Sequence, residues 1–186
     1  MLDHIFTDAI GALRNALELA LLERVVVEER FTTDALSGDT RWETSFGLPG
    51  EALPPKVQAD ITLTWPTWSQ SAYRTWLLTS ELHTIPELEM EVAFRAQGLD
   101  SPPNSVEVVE SLPAPPRIGR NTMEPVGGPT LEARYTEDLS SIGYAIELHF
   151  AGALLIHADV LADGNRLDEL LAVTADWIAS GLAALG

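Results

Sequence analysis

The chain has 186 residues, 46% of them hydrophobic, with 11 Lys and Arg against 28 Asp and Glu and a formal net charge of −17. That length is enough for one ordinary domain able to bury a core without disulfides or metals, and the apolar share excludes an intrinsically disordered chain. The charge argues against nucleic acid and anionic membrane surfaces as partners, since both bind through Lys and Arg.

Cysteine is absent, which removes disulfides, thiolate zinc sites, iron–sulfur clusters and cysteine nucleophiles together. The N-terminus, MLDHIFTDAIGALRN, places Asp3 and Asp8 where a signal peptide needs basic residues, and no run approaches the ~20 apolar residues of a membrane span. A cytoplasmic protein is expected.

In chain order, Phe6, Ile10, Leu13, Leu17 and Leu21 recur at helical spacing and predict an amphipathic helix over 3–24. Three alternating segments follow, as in half-buried antiparallel strands. Val25, Val27 and Phe31 share one inward set; Trp42, Thr44, Phe46 and Leu48 a second; Val57, Ala59, Ile61, Leu63 and Trp65 a third. Asp34–Asp39 and Gly47–Pro55 read as the turns between them. Residues 69–82 fit helix or strand, with helix favoured. Met90, Val92 and Phe94 alternate with Glu89, Glu91 and Arg95 in a further strand.

From 98 to 130 the texture changes to proline and glycine. This is a Pro-rich arm or long loop, in which only Ser105–Leu112 (SVEVVESL) could pair as a strand. Residues 131–135 suggest a short strand. A hairpin is then expected, with Tyr144, Ile146, Leu148 and Phe150 on one arm, Leu154, Ile156, Ala158 and Val160 on the other, and Ala151-Gly152-Ala153 as its loop. The last helix runs from about Arg166 to Leu185 behind an Asn165 cap, burying Leu167, Leu170, Leu171, Ile178 and Leu182 with Thr174 as the polar member. The sum is a single α+β domain, an antiparallel sheet covered on one face by the N- and C-terminal helices.

In the hairpin register Glu147 faces His157, with His149 and Asp159 one step away. Two imidazoles and two carboxylates suit zinc, iron or manganese, and a divalent metal there is the one cofactor the sequence suggests. Without metal, Glu147 would tune His157 as a general base, or the same face is a set of cross-strand ion pairs. A calcium loop over Asp159–Glu169 fails because Leu161 occupies a position that must supply oxygen. Trp65, Trp68, Tyr73 and Trp76 crowd one segment, either as an aromatic anchor for a partner or as a local mini-core. Arg117 and Arg120 form a rare basic spot suited to an anion or an acidic partner surface. The chain has no G-x-S-x-G, Walker A, G-x-G-x-x-G or H-E-x-x-H motif.

The helix–strands–helix plan with an acidic surface is similar to small secretion-chaperone-type α/β folds. The amphipathic first helix leading into a β-meander resembles tail-completion proteins of phage-type assemblies. Both resemblances are of architecture, without a diagnostic motif. The leading expectation is a non-catalytic chaperone, adaptor or assembly component working through a sheet face and the Pro-rich arm. Its alternatives are a metal-dependent enzyme using Glu147, His149, His157 and Asp159, or a carrier of an apolar ligand near the tryptophans. Open sheet edges further predict a homodimer.

Overall fold

A computed structural model describes residues 3–25, 29–135, 141–163 and 165–186. Helix α1 spans His4–Leu19. Strands β1 (Glu23–Arg24), β2 (Arg30–Thr33), β3 (Thr40–Gly47) and β4 (Val57–Trp65) lead to helix α2 (Thr67–Thr79) and strand β5 (Glu87–Leu99). The Pro-rich stretch holds helix α3 (Ser105–Ser111) and the short strands β6 (Arg117–Ile118), β7 (Asn121–Thr122) and β8 (Glu124–Pro125). Strands β9 (Thr130–Tyr135) and β10 (Ile142–Leu155) and helices α4 (Ala158–Ala162) and α5 (Asn165–Leu185) complete the chain.

The main sheet is antiparallel in the order β1-β3-β4-β5-β10-β8, with β2 beside β3 and β9 beside β10. The class is α+β, with the N- and C-terminal helices packed on each other and α5 against β4. Parity decides what is buried. Trp42, Ile61, Leu63, Met90, Phe94 and Leu148 lie on one face and are buried. Ring contacts join that face to the helices: Phe6 stacks on Trp65, and Phe94, Phe150 and Trp177 form a triad with centroids 5.0 to 5.9 Å apart. Edge-to-face packing of this kind adds about 0.5–1.5 kcal/mol per pair beyond area burial.

Helix α1 stops earlier than its periodicity suggests. Leu21 takes a left-handed φ of 62°, while Leu22 N–H reaches the Leu17 carbonyl and Leu21 N–H the Glu18 carbonyl. This is a Schellman termination, and it puts Leu22 in the core and turns Leu21 out to solvent, 75% exposed. The first alternating segment also differs. It is split into β1 and β2, Phe31 is half-exposed at the sheet edge opposite Trp42, and Val27 lies outside the described residues.

Three further corrections concern the second half. Ser105–Ser111 is helical because Asn104 caps it locally: its Oδ1 accepts from Val106 N–H at 3.1 Å and its Nδ2 donates to Glu107 at 2.8 Å. The Pro-rich segment folds back, with Ile118 and Met123 each 1% exposed and Trp177 Nε1 donating to the Pro113 carbonyl at 3.1 Å. The expected hairpin at 151–153 does not exist, since β10 runs straight through it. Gly152 serves packing: a Cβ there would meet Met123 Sδ at 2.6 Å and its Cα at 3.3 Å.

Candidate functional site

Continuity of β10 dismantles the hairpin constellation. Glu147 lies opposite Arg95 of β5, and His149 opposite Ala93. Leu155 is six strand steps beyond His149, roughly 20 Å of rise, so His157 and Asp159, at the start of α4, are remote from Glu147 and His149. Glu147 Oε1 lies 2.6 Å from His149 Nε2, and its other oxygen accepts from Arg95 Nη1 at 2.9 Å. Arg95 Nη2 donates to Glu132 at 2.8 Å, which Arg134 also approaches at 3.1 Å. This is an ion network, with Arg95 holding the Glu132 carboxyl below its ordinary value. Among the described residues no three His, Asp or Glu side chains are placed to hold a metal.

The aromatic segment is a mini-core in which Trp65 and Tyr73 are buried. Trp65 packs edge-to-face on Tyr73, which stacks on Trp76, and Trp65 Nε1 donates to Asp3 at 3.0 Å. Burial therefore removes Trp65 and Tyr73 from any contact surface. Trp76 is half-buried, and Trp68 is the most exposed of the four. Arg117 in β6 and Arg120 on the β6–β7 turn are both exposed, and Arg120 borders a concavity.

That concavity lies on the outer sheet face, on the side chains alternating with the core. Cross-strand rows can be followed from the register. Glu43, Thr62, Glu91, Ala151 and Glu124 form one; Ser45, Asp60, Ala93 and His149 form the next; Arg41, Thr64, Glu89 and Ala153 flank the first on its other side. Because Ala93, Ala151 and Ala153 are short, the centre of the face is low. A hollow of about 610 Å³ stands over Ala151–Ala153, walled by Glu87, Glu89, Glu91, Glu124 and Arg120.

Its electrostatics are lopsided. Among the described residues, Glu87, Glu89, Glu91 and Glu124 have no basic group within 4.0 Å. Partial burial, then the charges of Glu87, Asp39 and Glu91, raise the Glu89 carboxyl above its ordinary value. Asp60 is different, being satisfied by Ser45 Oγ and by Gln58 Nε2 at 3.0 Å. Unpaired like charges on one face are a standing electrostatic penalty that a cationic partner relieves. Net charge hinted at this field, but its position depended on bringing β5, β8 and β10 together.

The fold is that of an α+β protein, an antiparallel sheet whose N- and C-terminal helices pack together. The chain matches no protein-family model, and comparison with curated proteins and with solved structures finds no similar protein. No helix among the described residues is long and apolar enough to cross a membrane.

Proposed function

We propose that the protein is a cytoplasmic, non-catalytic adaptor or assembly component whose outer sheet face docks a basic segment of another protein. The observation that carries this reading is the cluster of Glu87, Glu89, Glu91 and Glu124, unpaired among the described residues, around a floor of small residues. An extended segment bearing Arg or Lys fits such a face: its cations reach the carboxylates while the alanine floor admits the aliphatic stems. The Pro-rich stretch contributes as a wall, through Arg120 and Glu124, rather than as a free arm.

The test is the affinity for an arginine-rich peptide at physiological salt, read by fluorescence anisotropy. Glu89→Lys with Glu91→Lys weakens binding at least tenfold. The control Glu110→Lys with Asp176→Lys, an equal charge change on α3 and α5, leaves it within about twofold. Equal losses in both variants mean diffuse attraction to a protein of charge −17 and overturn the reading.

A further inference from the structure

We propose that two copies of the chain join edge to edge through β9, in one antiparallel register centred on Ala133. The proposal concerns a different surface from the acidic face and does not rest on it. The other edge strands are short: β1 and β8 have two residues each and β2 has four, whereas β9 has six. Among the described residues strand β9 pairs with β10 alone, and no other strand lies on its far side. Such an edge is a template for another strand unless charge, proline or a bulge blunts it.

Strand β9 holds no proline; it carries Leu131, Ala133 and Tyr135 toward the core face, with Glu132 and Arg134 on the opposite face. Leu131 is 50% exposed and Tyr135 68% exposed, and Ile142, paired with Tyr135, is 37% exposed. Backbone direction follows from one hydrogen bond. Val126 N–H donates to the His149 carbonyl at 2.8 Å, so odd-numbered residues of β10 turn their backbone groups toward this edge. Their partners Thr130, Glu132 and Arg134 are spent on β10, and Leu131, Ala133 and Tyr135 turn their N–H and C=O groups outward, with no backbone partner there among the described residues.

A two-fold axis normal to the sheet keeps both core faces on one side and admits only a few registers. Centred on Ala133, it sets Ala133 against its own copy and Leu131 against Tyr135, pairing all three outward residues. It also sets Glu132 against Arg134 twice. Centring on Glu132 opposes two carboxylates, and centring on Arg134 opposes two guanidiniums. Charge and backbone satisfaction therefore select the same register.

Sedimentation equilibrium on the full chain tests this, with a mass of twice the 20.2 kDa chain expected. Ala133→Pro removes an outward N–H while leaving the β10 ladder intact, and gives monomer. Arg134→Glu and Glu132→Arg each give monomer alone, because each opposes like charges. Mixed together they restore the dimer, since every opposed pair is then unlike. A wild-type monomer at the highest concentration reached, or a dimer that survives both Ala133→Pro and Arg134→Glu, overturns the pairing. Either result leaves the acidic-face reading standing, because that face is complete within one chain.

Discussion

Glu147 stands directly across the sheet from Arg95, and its carboxylate accepts from Nη1 at 2.9 Å while its other oxygen contacts His149. Arg95 is only 17% exposed and serves Glu132 as well. Replacing it leaves two carboxylates on one face without their shared cation. Arg95→Met is expected to lower stability by about 1–2 kcal/mol near neutral pH, a figure discounted for solvent screening. Because the Glu132 carboxyl is held low, the pair stabilises above the ordinary carboxylate range and that stability is lost as pH falls through it. Urea unfolding at pH 7 and pH 3.5 should show the gap between wild type and variant narrowing in acid.

Gly181 of α5 faces the Phe94 ring, where an added Cβ would lie 2.7 Å from Cε1 and Cζ. The ring has nowhere to retreat, being held edge-on by Trp177 and Phe150. Alanine normally favours a helix interior by about 1 kcal/mol over glycine. Here overpacking outweighs that gain, and Gly181→Ala should destabilise by about 1–3 kcal/mol. Adding Phe94→Leu should recover part of the loss in a double-mutant cycle.

Leu21 offers the opposite opportunity. Its left-handed φ and exposed side chain mean that glycine loses little contact and relieves the clash of a Cβ in that region. Leu21→Gly is expected to raise stability by about 1 kcal/mol, seen as a higher denaturation midpoint with an unchanged slope.

The acidic face should leave a signature in pH dependence. The Glu89 carboxyl is raised, so the native state binds its proton more firmly than the unfolded chain does. Stability from this group is therefore present at low pH and is lost as pH rises through the raised value. Glu89→Gln should be more stable than wild type at pH 7, with the advantage gone below about pH 4.5, the group's ordinary value. Wild type already at its most stable at pH 7, with no gain in the variant, would refute the repulsion.

Much of the sheet was legible because β3, β4 and β5 bury only one side, so parity alone separates Trp42 and Phe94 from Glu43 and Arg95. Helix α2 was less so: beside Tyr73 its buried side is polar, with Ser69 Oγ accepting from Glu87 N–H and Gln70 Nε2 donating to the Gly38 and Trp65 carbonyls. A tertiary contact also supplies its cap, since Asp39 accepts from Thr67 N–H at 2.8 Å. Ala151-Gly152-Ala153 looked like a turn because a glycine between alanines has no local tell. What it accommodates, Met123, is almost thirty residues away in sequence. The same non-locality hid the acidic hollow, whose walls come from β5, β8 and the β6–β7 turn.

The most direct measurement is an NMR titration of labelled protein with the arginine-rich peptide, mapped residue by residue. Shifts concentrated on the amides of Glu89, Glu91, Ala93, Ala151 and Glu124, fading as salt is raised, are the predicted result. Shifts spread evenly over every acidic surface, or centred on helices α1 and α5, would contradict the outer sheet face as the docking surface.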